Sequence, residues 1–245
     1  MKNTAIIIPT RLGAKRFPNK PLAIIKGLPM IVHVLNRAKE SQVGDVIVAT
    51  PDKEILKVVK NNGGNVILTE KEHSSGSDRI YEAYSKQLID KVDLIINLQG
   101  DMPNIKSKSI VKLEKLMRSD KCDIGTLASH LKSKNELLNT NVVKVQVEED
   151  LKNDTFLLAK DFFRIKKDLK NEKIYHHIGI YAFTNTALTK YVNYSRSKLE
   201  LERNLEQMRA MENNMKIKVG YSDTFPLGID TESDLKQVSE EMNKL

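Results

Sequence analysis

The sequence contains one cysteine, no tryptophan and few aromatic residues. Cys122 is the single cysteine among 245 residues, so an internal disulfide and a zinc cluster of several thiolates are both excluded. Aromatic residues make up 5% of the chain, and they do not alternate with basic residues as in a base-stacking platform for single-stranded nucleic acid. The composition therefore argues against disulfide-rich secreted proteins, thiolate metal sites and nucleic-acid binding.

Long hydrophobic runs are also missing. No apolar stretch approaches the roughly 18 residues needed to cross a bilayer. The first apolar run, residues 5–8, is closed by Pro9 and Arg11, and it is too short for the hydrophobic part of a signal peptide. We therefore expect a cytoplasmic protein without membrane insertion.

The charge balance is basic. The chain has 40 Lys and Arg against 32 Asp and Glu, a net charge of +8, and 40% of its residues are hydrophobic. This hydrophobic fraction is typical of a folded globular protein. The cations are scattered rather than gathered in a dense tract, so small polyanions such as nucleoside triphosphates or acidic sugars are better partners than nucleic acid.

Short branched apolar runs alternate with amphipathic stretches through the first half of the chain. The pattern predicts strands at residues 5–9, 45–50, 65–69 and 92–98, and helices at residues 30–42, 52–62 and 77–89. After about residue 120 it predicts strands at 123–130, 142–147 and 175–183, then helices at 198–213 and 231–243. The alternation indicates an α/β fold with a mixed, mostly parallel sheet flanked by helices. Because no linker interrupts the chain, we interpret residues 1–245 as a single domain.

A basic loop follows the first predicted strand. It carries Arg11, Gly13, Lys15, Arg16 and Lys20 at the carboxyl end of that strand, where open α/β sheets bind ligands. The spacing matches neither a Walker A loop nor a GxGxxG fingerprint. Such cations can neutralise a triphosphate and a departing pyrophosphate. The alternative is a solvated basic loop, and in either case we expect Lys20 to be exposed.

Two acidic residues are candidate metal ligands. Asp101 follows the fourth strand in the segment Gln99-Gly100-Asp101, and Asp230 precedes the last helix in Gly228-Ile229-Asp230-Thr231. Two carboxylates that act together with nucleotide phosphates form a typical Mg²⁺ site. Taken singly, Asp101 is equally consistent with a turn residue and Asp230 with a helix N-terminal residue.

Two further segments carry polar residues that suit ligand binding. His73-Ser74-Ser75-Gly76-Ser77-Asp78-Arg79 leads into a predicted helix, where His73 is as consistent with a surface histidine. His177, Gly179 and Tyr181 lie on one face of a predicted strand, as either a hydrogen-bonding wall or core residues. No Ser/His/Asp or Cys/His nucleophile arrangement is evident, which favours direct displacement.

The motifs together resemble those of 3-deoxy-manno-octulosonate (Kdo) cytidylyltransferases. The resemblance covers nearly the whole chain in order, through PxRxGxxRxPxKPL at residues 9–22, HSSGSDR at 73–79, QGD at 99–101, HIGIY at 177–181, LEQMRAME at 205–212 and GIDT at 228–231. It implies a Rossmann-like nucleotide-diphospho-sugar transferase fold. It also implies an Mg²⁺-dependent homodimer that joins CTP and Kdo to form CMP-Kdo and pyrophosphate, for lipopolysaccharide synthesis. Residues 1–120 would then mainly bind CTP, and residues 121–245 would bind the sugar and dimerise.

The resemblance also implies roles for individual residues. Those carried over as catalytic are Arg11, Lys20, Asp101 and Asp230, of which Asp101 and Asp230 would bind the metal. The nucleotide would be bound by Arg11, Gly13, Arg16, Lys20, Ser75, Gly76, Arg79 and Gln99. The sugar would be bound by Gln99, Lys160, His177, Tyr181, Glu206 and Gln207.

Four positions depart from the family pattern. Met102 replaces a glutamate after QGD, Lys160 replaces an arginine, Arg164 replaces a proline, and Arg203 stands where a glutamate is usual. The changes cluster on the sugar side. They leave open a different acidic sugar, such as 8-amino-Kdo or a sialic-type acid, and a non-catalytic nucleotide-binding relative.

Overall fold

The computed structural model of the chain describes residues 3–13, 16–70, 72–166 and 173–243. These residues form two compact units. One unit contains the residues up to Val111 together with those from Pro226 onward, and the other is Lys112–Phe225. Residues from 226 onward, which the sequence placed with the second half, thus pack in the first unit. The interpretation of the whole chain as one domain stays a prediction.

The described strands and helices alternate along most of the chain. The strands are β1 (Thr4–Pro9), β2 (Ile24–Ile25), β3 (Leu28–Pro29), β4 (Asp45–Thr50), β5 (Asn65–Leu68), β6 (Leu94–Leu98), β7 (Ile124–Ser129), β8 (Lys144–Val147), β9 (Phe156–Phe163), β10 (Lys173–Thr184) and β11 (Ile217–Tyr221). The helices are α1 (Met30–Glu40), α2 (Lys53–Asn61), α3 (Gly76–Gln87), α4 (Ser107–Ser119), α5 (Lys134–Leu138), α6 (Asn185–Asn193), α7 (Lys198–Arg203), α8 (Gln207–Glu212) and α9 (Glu232–Asn243). No helix within these described ranges is long and apolar enough to cross a membrane.

The first unit contains a parallel sheet in the order β5-β4-β1-β6. All six residues of β1 are buried, because helices cover a parallel sheet on both faces and its central strands have no exposed side. The strand order reverses between β1 and β6, since β4 and β5 follow on one side of β1 and β6 lies on the other. In open α/β sheets, ligands bind at the carboxyl ends of strands at such a switch point.

The C-terminal helix α9 closes an apolar cluster in the first unit. Ile25, Met30, Ile229, Val238 and Met242 are buried together there, and Phe17, Leu227 and Leu235 pack against them. Thr231 begins the helix as predicted, since its hydroxyl accepts the backbone N–H of Asp234 at 3.2 Å. The cluster holds the segment before α9, which contains Asp230, beside residues 17–30.

The second unit contains a mainly antiparallel sheet in the order β10-β7-β11-β9-β8. The pairs β10/β7, β11/β9 and β8/β9 are antiparallel, whereas β11/β7 is parallel. The prediction of an α/β fold with a mixed sheet is confirmed. Its parallel pairs are concentrated in the first unit and its antiparallel pairs in the second.

The single helix predicted at residues 198–213 is wrong, because the structure divides it into α7 and α8. Asn204 has φ 52° and ψ 50°, a left-handed conformation that asparagine tolerates better than most residues. Across this break, Arg209 binds Glu200 through two hydrogen bonds of 2.8 and 2.7 Å. The buried ion pair ties the two short helices together.

Candidate active site

The basic loop after β1 is attached to the first unit through backbone groups. The N–H of Thr10 donates to the carbonyl of Ala49 at 3.0 Å, and the N–H of Leu12 donates to Oδ2 of Asp52 at 2.8 Å. The carbonyl of Leu12 accepts the N–H of Asn19 at 3.2 Å, which closes the loop. Lys15 lies outside the described residues. Arg11 and Gly13 are exposed, so the loop presents both to solvent.

Lys20 directly follows the closure of the loop, in the 3-10 turn Lys20–Leu22. Its Nζ donates to Oδ2 of Asp101 at 2.9 Å and to the carbonyl of Ile229 at 2.6 Å, and it lies 3.6 Å from Oδ1 of Asp230. The side chain is only 13% exposed, so the prediction of an exposed Lys20 is wrong. The structure therefore brings together a loop cation and two acids that are distant in sequence.

Asp230 is positioned by its neighbours at the start of α9. Its other carboxylate oxygen is 3.0 Å from Nη2 of Arg16, and its backbone N–H donates to Oδ2 of Asp234 at 3.0 Å. The carbonyl of Asp101 accepts the N–H of Ile229 at 3.0 Å, which links the two acidic segments. Two cations and two carboxylates thus alternate at this edge of the sheet, and their charges balance.

Gly100 allows the end of β6 to approach the end of β1. A Cβ at Gly100 would lie 3.1 Å from the carbonyl oxygen of Pro9 and 3.2 Å from Cβ of Thr10, a distance that side chains rarely reach. Beside it, Nε2 of Gln99 donates to Oδ1 of Asn97 at 3.1 Å. The amide oxygen of Gln99 lies 3.8 Å from the position of a Cβ on Gly76. Gln99 and Gly76 are therefore neighbours, as a shared nucleotide-binding role requires.

The segment before α3 is held by the hydroxyl of Ser75 and the carboxylate of Glu82. Ser75 begins the helix, with its hydroxyl accepting the N–H of Asp78 at 3.1 Å. Glu82 accepts the N–H of Glu70 at 3.0 Å and also contacts Nε2 of His73. His73 therefore has a clear structural partner.

Arg79 is a buried cation on the first turn of α3. Its Nη1 donates to the hydroxyl of Thr69 and to the carbonyl of Glu70. Burial lowers the pKa of Arg79 and the charge of Arg11 lowers it further, while Glu82 and Asp52 raise it. Arg79 thus joins the end of β5 to α3 and lies within electrostatic reach of the basic loop.

In the second unit, His177 is buried and neutral. Its Nε2 lies 2.9 Å from the hydroxyl of Thr126, and that hydroxyl donates its one proton to the carbonyl of Ile180 at 2.7 Å. Nε2 must therefore carry a proton and donate to Thr126, which leaves Nδ1 as an acceptor. Burial and the neighbouring His176 lower the pKa of His177 to about 3. Sequence reasoning missed Thr126.

Tyr181 and His177 share one face of β10. Their ring centroids are 5.4 Å apart, although the register shifts between Ile178 and Tyr181. Burial raises the pKa of Tyr181 well above 10, and the charge of Glu206 acts in the same direction. Glu206 immediately precedes helix α8, and the buried Gln207 is the first residue of that helix. The sequence had predicted both residues in the middle of a longer helix. Tyr181 therefore has His177 as a ring neighbour and lies within electrostatic reach of Glu206.

The residues that depart from the family pattern mostly have partners within the protein. Lys160 is exposed and pairs with Glu148. Nη1 of Arg164 donates to the carbonyl of Thr140 at 2.9 Å, and Arg203 donates to the carbonyl of Phe162 at 2.8 Å. Met102 is buried. The guanidinium groups of Arg164 and Arg203 thus stabilise backbone carbonyls.

A comparison with known families gives the class of protein that this fold and site define. A family model described as cytidylyltransferase matches residues 5–217, which is most of the chain. A protein from Rhodopseudomonas palustris named 3-deoxy-manno-octulosonate cytidylyltransferase is 45% identical over 234 residues, covering 95% of each chain. A protein of the same name from Brucella canis is 43% identical over 233 residues, covering 95% of this chain and 92% of that one. The chain therefore belongs to the 3-deoxy-manno-octulosonate cytidylyltransferase family, and the resemblance read from its motifs is confirmed.

Solved structures agree with this assignment. A structure described as CMP:2-keto-3-deoxy-manno-octonic acid synthetase complexed with CTP has a TM-score of 0.90 and 33% identity, covering 99% of both chains. A cytidylyltransferase from Leptospira borgpetersenii has a TM-score of 0.67 and 18% identity over 100% of this chain and 88% of that one, a likeness of fold alone.

Proposed function

We propose that the protein transfers CMP from CTP to Kdo. The anomeric hydroxyl oxygen of the sugar forms a bond to the α-phosphorus, the bond to the β-phosphate breaks, pyrophosphate leaves, and the hydroxyl proton passes to water. The observation that carries the proposal is the convergence of Lys20, Asp101 and Asp230 at the switch point of the parallel sheet. Family membership selects CTP and Kdo as the substrates.

The basic loop is suited to the triphosphate. Arg11 and Arg16 are exposed, and a Cβ on Gly13 would meet no described protein atom within 4 Å, so phosphates have room to approach the backbone. Lys20 is already oriented by three oxygen partners. Groups fixed in advance stabilise the charge that develops on pyrophosphate without reorganising during the reaction. Gly76, Gln99 and Arg79 lie at the neighbouring strand ends, where we place the cytidine.

Asp101 and Asp230 fit a Mg²⁺ ion. Within the described part of the chain no group of three or more His, Cys, Asp or Glu forms a metal cluster. Two carboxylates completed by substrate phosphates and water are nevertheless a usual set of Mg²⁺ ligands, and both acids already face one cation, Lys20. When bound there, Mg²⁺ would offset the negative charge of the phosphates.

We place the sugar at His177, Tyr181, Glu206 and Gln207 in the second unit. The neutral His177 offers an acceptor at Nδ1, the phenol of Tyr181 stays protonated at neutral pH, and Glu206 accepts hydrogen bonds. Polyhydroxy acids are recognised by such mixed donors and acceptors. Lys160 is the proposed partner of the sugar carboxylate.

Pyrophosphate release decides between the candidate sugars. The purified protein is incubated with Mg²⁺ and CTP, ATP, GTP or UTP, together with Kdo, 8-amino-Kdo or N-acetylneuraminate. Release from CTP and Kdo alone is the expected result. Turnover with another acid but not with Kdo would replace the sugar and keep the cytidylyl transfer. Equal thermal stabilisation by all four nucleotides, without turnover, would instead support a non-catalytic nucleotide-binding protein.

We further propose that the protein works as a homodimer in the cytoplasm, where CTP is available. Large apolar side chains of the second unit are exposed, at 75%, 48%, 53% and 57% for Leu138, Leu158, Ile165 and Leu201, and a second copy that covered them would remove apolar surface from water. Light scattering of the purified protein tests the dimer, and a monomeric mass at micromolar concentration would refute it.

A further inference from the structure

The side chain of Asp52 does not serve the helix that it precedes. Asp52 occupies the N-cap position of α2, where aspartate normally accepts a hydrogen bond from the first turn, yet its carboxylate makes no such bond. Oδ2 instead accepts the N–H of Leu12 at 2.8 Å, from a residue 40 positions earlier in the chain. The carboxylate of Asp52 therefore binds the distant Leu12 instead of capping its own helix.

The contact reaches Lys20 through the closure of the basic loop. Leu12 is fixed at both ends, with its N–H bound to Asp52 and its carbonyl accepting the N–H of Asn19 at 3.2 Å. Asn19 has φ 58° and leads directly into the turn that begins at Lys20. Displacement of Leu12 would therefore release Asn19 and change the position from which Lys20 extends.

The charge of Asp52 also acts on the buried cation Arg79. It raises the pKa of Arg79, whereas the charge of Arg11 lowers it, so Asp52 and Arg11 both lie within electrostatic reach of Arg79. A carboxylate here reduces the repulsion between cations that must be held near one another before the nucleotide binds. Sequence reasoning assigned no role to Asp52, because the residue reads as an ordinary helix N-cap.

We infer that Asp52 is a positioning residue for nucleotide binding, which holds the basic loop in its binding conformation through the N–H of Leu12. It touches neither the reacting atoms nor the substrate in this role and acts through Lys20 and the loop backbone. The inference rests on the proposed function, since the loop is taken to bind the phosphates of CTP.

The test uses Asp52→Ser with Asp52→Asn as its conservative partner. Serine is a good N-cap, so Asp52→Ser keeps or improves the start of α2 while its shorter side chain no longer reaches Leu12. We expect an unchanged or higher melting temperature without ligand, a KM for CTP raised about tenfold, which is about 1.4 kcal/mol, and an unchanged KM for Kdo. Asp52→Asn retains an acceptor oxygen and should recover most of the affinity for CTP. Glu54→Ala, on an exposed position of α2, is the matched control and should behave as wild type.

Each other outcome overturns the inference. An unchanged KM for CTP in Asp52→Ser would show that the contact is dispensable, and equal rises for CTP and Kdo would indicate a general structural role. If Asp52→Ser and Asp52→Asn raise the KM for CTP equally, the charge of Asp52 matters rather than its hydrogen bond to Leu12. If the wild type releases no pyrophosphate from CTP and Kdo, the proposed function fails. Calorimetric titration of CTP into wild type and Asp52→Ser then still decides whether Asp52 supports nucleotide binding.

Discussion

The ammonium group of Lys20 lies 2.9 Å from Oδ2 of Asp101, across a gap of 81 residues in the sequence. An Asp101→Asn substitution keeps an oxygen that can accept from Lys20 but removes the negative charge that we propose binds Mg²⁺. We expect kcat to fall by about two orders of magnitude, because charge at the reacting phosphates is then poorly compensated. Pyrophosphate release measured against Mg²⁺ concentration checks this, and EDTA should abolish the wild-type activity reversibly.

The same variant should remain folded. The Asp101 side chain is 33% exposed, so solvent screens its ion pair and we expect the free energy of unfolding to change by about 1 kcal/mol or less. Asp154→Asn, at an exposed position, is the control for removing one negative charge. Turnover of Asp101→Asn close to that of Asp154→Asn would refute the metal assignment.

We expect the buried ion pair between Glu200 and Arg209 to stabilise the folded protein. Glu200→Gln leaves the guanidinium of Arg209 buried with a neutral partner, and we expect a loss of about 3–5 kcal/mol in the free energy of unfolding. Glu202→Gln, whose exposed partner Lys198 is 3.8 Å away, should change it by about 0.5 kcal/mol or less. Urea denaturation of both variants measures the difference. Similar losses in the two would mean that burial of the Glu200 pair is unimportant.

We also expect Glu200 to make the stability of the protein depend on pH in the acidic range. Burial raises its pKa, but hydrogen bonds from Arg209 and Arg196 outweigh this and lower the pKa below the ordinary value of 4.5. Its charge therefore contributes stability above about pH 4.5, and this is lost as the pH falls through the lower folded pKa. In Glu200→Gln this part of the acid sensitivity should disappear, which denaturation between pH 3 and 6 would reveal.

His177 should make the protein less stable on acidification. The folded ring has a pKa of about 3 against an ordinary value of 6.5, so below pH 6.5 the unfolded chain binds a proton that the folded protein does not. Each unit by which the pH falls within this window therefore lowers the free energy of unfolding by about 1.4 kcal/mol. Relative to wild type, His177→Gln should show a shallower loss of unfolding free energy between pH 6 and 4. Parallel curves would contradict a neutral buried His177.

Lys160 is an exposed residue of the proposed sugar site. A lysine contacts a carboxylate as a point charge, whereas arginine offers two parallel donors. We expect Lys160→Ala to raise the KM for Kdo about tenfold with the KM for CTP unchanged. Lys160→Arg should match or lower the wild-type value. Glu148→Gln releases the ammonium from its ion pair and should not raise KM. A normal KM for Kdo in Lys160→Ala would place the carboxylate contact elsewhere.

Much of the first unit could be predicted from the sequence, because buried parallel strands are continuous apolar runs. The strand predicted at residues 45–50 is observed as Asp45–Thr50, and that at 65–69 as Asn65–Leu68. The strands of the second unit were harder to predict. The strand Phe156–Phe163 was not predicted, since Lys160 and Asp161 interrupt its apolar pattern where one face meets solvent.

In the candidate site, residues in local motifs could be predicted, whereas contacts between residues far apart in the sequence could not. The type and spacing of residues identified the basic loop, Asp101 and Asp230 as candidates. The partners of Lys20 could not be predicted, because Ile229 lies 209 residues away and only the folded chain brings its carbonyl to the loop. Asp52 and Thr126 were not predicted for the same reason, since neither lies in a recognisable motif and each acts through hydrogen bonds to residues far away in the sequence.

The return of the segment from Pro226 onward to the first unit means that the site can assemble only after the ribosome has passed Asp230. A ribosome synthesises the basic loop early, but the carbonyl of Ile229 follows 209 residues later. A nascent chain that has not yet released the segment from Pro226 onward has Lys20 and Asp101 but lacks Asp230. A product of a premature stop codon in this region therefore carries an incomplete set of acids. Chains that stop before Asp230 would therefore not consume CTP, and the nucleotide pool would be spared.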